Sequence, residues 1–309
     1  MKTLTVVSGC YNEAENVGEL VSRVFAVAAS FPQYKWEYII IDNCSVDETP
    51  AKLRALAATE SRLKVIFNTR NFGHIRSPYY GMLQAKGDAV IYLASDLQDP
   101  PEDIAKFIPL WEQGFKVVAA IKNESEESPI FFALRTAYYH FISRLSEVDL
   151  LKNFTGFGLY DQSVIEQLRQ LNDPYPYHRG IISELGYQVA KVPFVQRTRK
   201  RGFTKNNFYT LYDIAMLGFT NHTKIPLRLA TMLGFGTAFV SFAIGGIYLS
   251  LKLFFWRDFA MGLAPVVVGL FFLGAVQLIF IGILGEYVGA IHTKVTNRPL
   301  VVEKERINF

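Results

Sequence analysis

Apolar residues fall into two regimes along this chain. Up to Ile121, short apolar runs alternate with stretches in which apolar positions recur every three or four residues. The runs Thr3–Ser8, Trp36–Ile41, Leu63–Phe67, Ala89–Leu93 and Phe115–Ala120 read as strands. Between them the pattern predicts helices through Leu20, Val21, Val24 and Phe25, through Leu53, Leu56 and Ala57, over residues 75–86 and over 102–113. This alternation makes an α/β domain, a mostly parallel sheet with helices on both faces. Past Ile121 the regularity lapses. Asn123–Ser128 is a polar, acidic loop, and an aromatic helix follows with Phe131, Phe132, Tyr138, Tyr139 and Phe141. Gly156–Asp161 then leads into a helix with Val164, Ile165 and Leu168, Tyr187–Val195 reads as a late strand, and 207–222 as an amphipathic helix of the kind that rests in a headgroup layer.

In the second regime, residues 229–251 and 259–285 contain no Lys, Arg, Asp or Glu. At ~1.5 Å per residue each is long enough to cross a hydrocarbon core of ~30 Å, so both are expected to be transmembrane helices. The N-terminal apolar run is too short for a signal peptide and soon meets Glu13 and Glu15. Basic residues crowd before the first span (Lys224, Arg228) and after the second (Lys294, Arg298), which puts both ends in the cytoplasm at an inner membrane. The expected organisation is a catalytic domain over 1–205, a juxtamembrane helix over 206–226, a transmembrane hairpin over 227–290 and a tail over 291–309.

Composition adjusts this picture only slightly. The net charge of +4 is modest and clusters near the spans, a membrane-facing bias and not a nucleic-acid footprint. Cys10 and Cys44 are expected to be free thiols.

The candidate chemistry sits where strands meet loops, the edge at which open α/β sheets bind ligands. Tyr11-Asn12-Glu13 follows the first strand, Asp42-Asn43-Cys44-Ser45-Val46-Asp47-Glu48-Thr49 the second, Asn71-Phe72-Gly73 the third and Ala94-Ser95-Asp96-Leu97-Gln98-Asp99-Pro100-Pro101-Glu102 the fourth. Asp96, Gln98 and Asp99 offer hard oxygen ligands suited to Mg2+ or Mn2+. The alternative is an acidic helix start capped by carboxylates.

Together these motifs resemble the family 2 glycosyltransferases with a GT-A fold. With two C-terminal spans, they resemble more narrowly the polyisoprenyl-phosphate glycosyltransferases, relatives of dolichyl-phosphate mannose synthase typified by bacterial undecaprenyl-phosphate glucosyltransferases. The resemblance covers nearly the whole chain. It implies a Rossmann-like GT-A domain and inverting transfer of one sugar from a nucleotide sugar, UDP-linked, to a polyprenyl phosphate. It also implies a divalent metal, Mg2+ or Mn2+, and a homotetramer. Tyr11, Asn12, Glu13, Asp42, Asn71 and Asp96 would bind the nucleotide sugar, and Asp96 and Gln98 the metal. Asp161 would be the catalytic carboxylate opposite the sugar. Arg197, Arg199, Thr204 and Lys205, in an element like Arg-x-x-Gly-x-Ser-Lys, would hold the acceptor phosphate. Each role has a plainer counterpart: Asp42 and Asp161 as helix caps, and the basic run as a cluster attracting anionic lipid.

The chain also departs from the family pattern. Ala94 replaces the first Asp of Asp-x-Asp, and Gly156, Phe157 and Gly158 stand where relatives carry Asp-Phe-Arg. These departures keep two other readings open. One is a processive polysaccharide synthase, although the usual Gln-x-x-Arg-Trp and further spans are lacking. The other is a degenerate, membrane-anchored protein that binds nucleotide or lipid phosphate.

Overall fold

The computed structural model describes residues 1–124, 151, 153–196, 225–254 and 263–309. It divides into two units, Met1–Leu211 with Thr293–Phe309, and Tyr212–His292. The aromatic stretch 131–141, the basic run from Arg197 to Lys205 and the amphipathic stretch 207–222 lie outside the described residues.

In the first unit, eight strands form one sheet: β1 (Thr3–Cys10), β2 (Lys35–Asp42), β3 (Leu63–Asn68), β4 (Ala89–Tyr92), β5 (Val117–Glu124), β6 (Phe154–Asp161), β7 (Val189–Val195) and β8 (Glu303–Ile307). Their order is β7-β5-β6-β4-β1-β2-β3-β8. Strands β4, β1, β2 and β3 are parallel neighbours, joined by α1 (Val17–Ala29), α2 (Thr49–Thr59) and α3 (Gly73–Gln84). Because a strand points alternate side chains to opposite faces, Ile39, Ile40 and Ile41 serve two cores. Leu4, Val6, Ile40 and Ile91 pack against Val17, Leu20 and Val24 of α1 and Phe107 of α4 (Ile104–Glu112). Val7, Ile39, Ile41 and Val90 pack against Tyr79 and Met82 of α3 and Val164, Ile165 and Leu168 of α5 (Gln162–Leu171). A short helix, α6 (His178–Glu184), adds Ile181 and Ile182 to the second core.

Two strands depart from the sequence reading. Gly156–Asp161, expected only to lead into a helix, belongs to β6, which runs antiparallel between β4 and β5. Two glycines hide it from a propensity reading. Gly158 is needed for packing, because a Cβ there would fall on the Val118 carbonyl of the adjacent strand. The expected plain tail returns as β8, antiparallel to the edge strand β3.

The second unit holds most of two long helices, α7 (Ile225–Phe254) and α8 (Leu263–Val295). Leu227–Ile244 and Phe272–Val295 are each long and apolar enough to cross a membrane. Phe235, Phe239 and Phe242 on α7 and Leu270 and Leu278 on α8 are exposed. Apolar surface of this extent suits lipid better than water.

Candidate active site

Strand order reverses at β1: the chain lays β2 and β3 on one side of it and β4 on the other. The crevice at the carboxyl ends of β1 and β4 is therefore the topological switch point, where such sheets bind ligands. The loops after these strands carry Tyr11-Asn12-Glu13 and Asp96-Leu97-Gln98, and the loops after β2 and β3 continue the same edge with Asp42–Thr49 and Asn71–Gly73. The structure thus brings together Tyr11, Asn12, Glu13, Asp42, Asn71, Asp96 and Gln98 along one edge.

These loops hold one another. The Asn12 N–H donates to Ser45 Oγ at 2.8 Å, and Asn12 Oδ1 accepts from Val46 N–H at 2.8 Å. The Glu13 N–H donates to Thr49 Oγ1 at 2.9 Å, and Glu13 Oε2 accepts from Asn16 Nδ2 at 2.6 Å. Ser95 Oγ donates to Gly9 O at 2.8 Å, fastening the loop after β4 to the end of β1. Asn12, Cys44 and Leu97, one in each of three loops, have φ of 54°, 62° and 59°. That left-handed conformation is uncommon for residues with a Cβ and is held here by the surrounding bonds.

Asp42 closes its own turn: Oδ2 accepts from Ser45 N–H at 3.1 Å and Oδ1 from Ser45 Oγ at 2.5 Å. Burial raises its pKa, against the lowering effect of these Ser45 bonds. An ionised carboxylate has about four acceptor positions, so two bonds leave capacity for a ligand donor. Next to it is a residue the sequence reading left without a role. Asn43 donates through Nδ2 to Asn71 Oδ1 at 2.8 Å and to Gly73 O at 3.1 Å. Its Oδ1 accepts from Phe72 N–H at 2.9 Å and from Asn68 Nδ2 at 3.1 Å. The Asn43 side chain therefore sets the position of the loop that carries Asn71.

At the loop after β4, Asp96 is 9% exposed and its Oδ1 accepts from Gln98 N–H at 3.2 Å. Close by are polar groups, the buried Asp99 from the same loop with the buried Tyr160 of β6 and His178 of α6, which sequence spacing does not bring together. Asp99 Oδ2 accepts from Ala94 N–H at 3.1 Å, while Oδ1 is buried without a partner. Burial, with Asp96 nearby, pushes the Asp99 carboxyl up to about 7. Tyr160 donates to Gly156 O at 2.6 Å, so the 3.0 Å contact between Tyr160 and His178 Nε2 makes the imidazole nitrogen the donor. Burial and then Arg179 lower the His178 pKa to about 3, so this ring is neutral.

One expectation is corrected. Asp161 pairs with Ala89 at the start of β4, whereas Asp96 follows the end of that strand. The antiparallel direction of β6 puts the two carboxylates at opposite edges of the sheet, separated by the length of β4, roughly 10 Å or more. Asp161 instead caps α5, accepting from Ser163 N–H at 3.1 Å, Trp111 Nε1 at 2.8 Å and Lys116 Nζ at 3.1 Å. What β6 brings to the Asp96 edge is its amino end, including Gly156 with φ of 100° beside Tyr92 and His178. Burial raises the Asp161 pKa, but the bonds from Ser163, Trp111 and Lys116 outweigh it and hold the carboxyl below its usual range. Its stabilisation is thus present above the unfolded value near ~3.9 and is lost as pH falls through the lower folded one. Asp161→Ala should cost about 2 kcal/mol, as a lost cap plus an orphaned indole N–H, and should flatten the acid-side loss of stability. The donor KM should stay within about twofold of wild type, which thermal melts and steady-state kinetics will check.

Among the described residues, no group of three or more His, Cys, Asp or Glu side chains is placed to hold a metal ion. Asp96 and Gln98, two residues apart in this loop, would offer two oxygen ligands, a partial set. Such a set fits Mg2+ or Mn2+, which commonly bind one or two protein oxygens together with substrate phosphates and water. The predicted acceptor-phosphate residues Arg197, Arg199, Thr204 and Lys205 lie outside the described residues.

Residues 5–169 match the model of Glycosyl transferase family 2. The bactoprenol glucosyl transferase of Shigella phage SfII is 32% identical over 303 residues, covering 98% of this chain and 97% of the relative. YkcC of Bacillus subtilis, an uncharacterized glycosyltransferase, is 31% identical over 300 residues, covering 96% and 92%. Mannosyl-3-phosphoglycerate synthase from Rubrobacter xylanophilus superposes with a TM-score of 0.51 at 17% identity over 75% of each chain, a likeness of fold. A family match over more than half the chain, near full-length relatives and a sheet whose switch point carries the polar loop motifs lead to one conclusion: the chain belongs to glycosyl transferase family 2 and is a glycosyltransferase.

Proposed function

We propose that the protein transfers a single sugar, with inversion, from a UDP-linked donor to a polyprenyl phosphate at the cytoplasmic face of a membrane. The observation that carries this reading is the switch-point edge, where four loops after parallel strands converge in a chain that also holds two long apolar helices. Full-length likeness to proteins named bactoprenol glucosyl transferase supports the lipid acceptor.

In this mechanism Asp42 accepts hydrogen bonds from the base or ribose, and Tyr11, Asn12, Glu13 and Asn71 frame the nucleotide. Asp96 and Gln98 would hold a divalent metal, which would supply positive charge to neutralise the diphosphate leaving group. The ladder of loop-to-loop bonds keeps the Asp96 loop in place without reorganisation. The acceptor is itself the nucleophile. A lipid phosphate with a second pKa near ~6 is mostly dianionic at neutral pH, so its oxygen needs positioning more than deprotonation. Arg197, Arg199, Thr204 and Lys205 supply that positioning, the arginines by paired contacts and the lysine as a point charge. Both chain ends lie in the cytoplasm, and the assembly is a homotetramer.

The acceptor half of this reading has its own test. Lys205→Ala should raise the KM for undecaprenyl phosphate about tenfold while the donor KM moves less than about twofold. An unchanged acceptor KM would leave the basic run as a lipid-surface cluster only.

A further inference from the structure

The loop from Thr69 to Gly73 is held at two places. Its far end is fixed from within the domain by Asn43, and its near end is fixed from outside by the C-terminal segment. Val302 O accepts from both Thr69 N–H at 2.9 Å and Thr69 Oγ1 at 3.1 Å. Val302 immediately precedes β8, whose pairing to β3 places Ile307 opposite Val65, Arg306 opposite Ile66 and Glu305 opposite Phe67. The segment is anchored well beyond the ladder. Asn308 Nδ2 donates to Ala57 O at 2.8 Å and Leu63 O at 2.9 Å, Arg306 donates to Gln84 Oε1 at 2.8 Å, and Val301 is 6% exposed.

We infer that this C-terminal strand is a positioning element of the nucleotide site, holding the Asn71 loop in its binding geometry from the side opposite Asn43. The inference rests on the reading of this sheet edge as the nucleotide site. Thr69, Arg70 and Asn71 are exposed, so water can satisfy their backbone groups when the tail is absent. What the tail supplies is restriction. Ordering the backbone of a residue costs on the order of 1–2 kcal/mol, and without Val302 a bound nucleotide must supply that ordering itself. The segment begins a few residues after α8 ends at Val295, so the chain leaving an apolar helix is tied directly to the nucleotide loop.

The test uses a chain ending at Pro299, with both apolar helices intact, and reads the Kd for UDP or GDP, whichever the full chain binds, beside donor and acceptor KM. The expected result is a Kd and donor KM raised about tenfold with acceptor KM within about twofold, reversed by millimolar peptide of residues 300–309. In the full chain, Thr69→Val removes one of the two donors to Val302 and should raise the Kd about threefold, whereas Thr69→Ser should leave it unchanged. A truncated chain with wild-type Kd overturns the inference. So does wild-type behaviour of Thr69→Val, which decides the matter if the truncated chain does not fold. Altered Kd without sugar transfer from any donor would sink the functional reading alone, and transfer with unaltered Kd would sink this inference alone.

Discussion

Asp96→Ala should lower kcat/KM by about a thousandfold, roughly 4 kcal/mol of transition-state stabilisation, while leaving the fold intact. The size follows from where this carboxylate stands. It is 9% exposed at the switch-point crevice, in a loop fastened to β1 by Ser95. With Ala94 in place of the first carboxylate of Asp-x-Asp, Asp96 and Gln98 are the residues proposed to hold the cation. Asp99 lies three residues on, with its Oδ2 accepting from Ala94 N–H and its carboxyl pushed up to about 7 by burial. EDTA should abolish wild-type transfer, and added Mg2+ or Mn2+ should restore it. Full activity of the wild-type protein in EDTA would remove the metal from the account.

The second large effect is expected at Asp42. Asp42→Asn keeps an acceptor for Ser45 N–H and hence the turn, but loses the carboxylate proposed to meet the nucleoside. Loss of a charge-assisted hydrogen bond, about 1.5–3 kcal/mol, should raise the donor KM about ten- to hundredfold with little change in melting temperature. A variant with wild-type donor KM would reduce Asp42 to a turn residue, a role that its two bonds to Ser45 already document.

The β–loop–α units as far as β5 were legible because their signals are local. An apolar run followed by polar turn residues and a helical period marks both the element and the strand end that carries chemistry. The strand ends that carry Asn12, Asp42, Asn71 and Asp96 could therefore be placed from the pattern, while the roles expected of these residues came from the family resemblance. β6 was not legible: Gly156 and Gly158 weaken its strand pattern, and Gly158 is explained only by the approach of the Val118 carbonyl from another strand. Missing β6 is also why Asp161 was misplaced. A carboxylate at the end of a run looks like another strand-end carboxylate, but β6 is antiparallel, so its end lies at the far edge. β8 escaped for a different reason. Its sequence, Glu303-Lys304-Glu305-Arg306-Ile307, is charged as suits an edge strand, and its partner β3 is distant in the chain. The contact of Tyr160 with His178 is likewise a product of the fold alone.

The central claim is that this edge transfers one sugar to a lipid phosphate. Membranes containing the protein, given radiolabelled nucleotide sugars one donor at a time together with undecaprenyl phosphate, test it most directly. The account predicts label in the organic extract as a lipid carrying a single sugar, from one donor and not in the Asp96→Ala protein. Label appearing as long polymer, or no transfer from any donor, would contradict it.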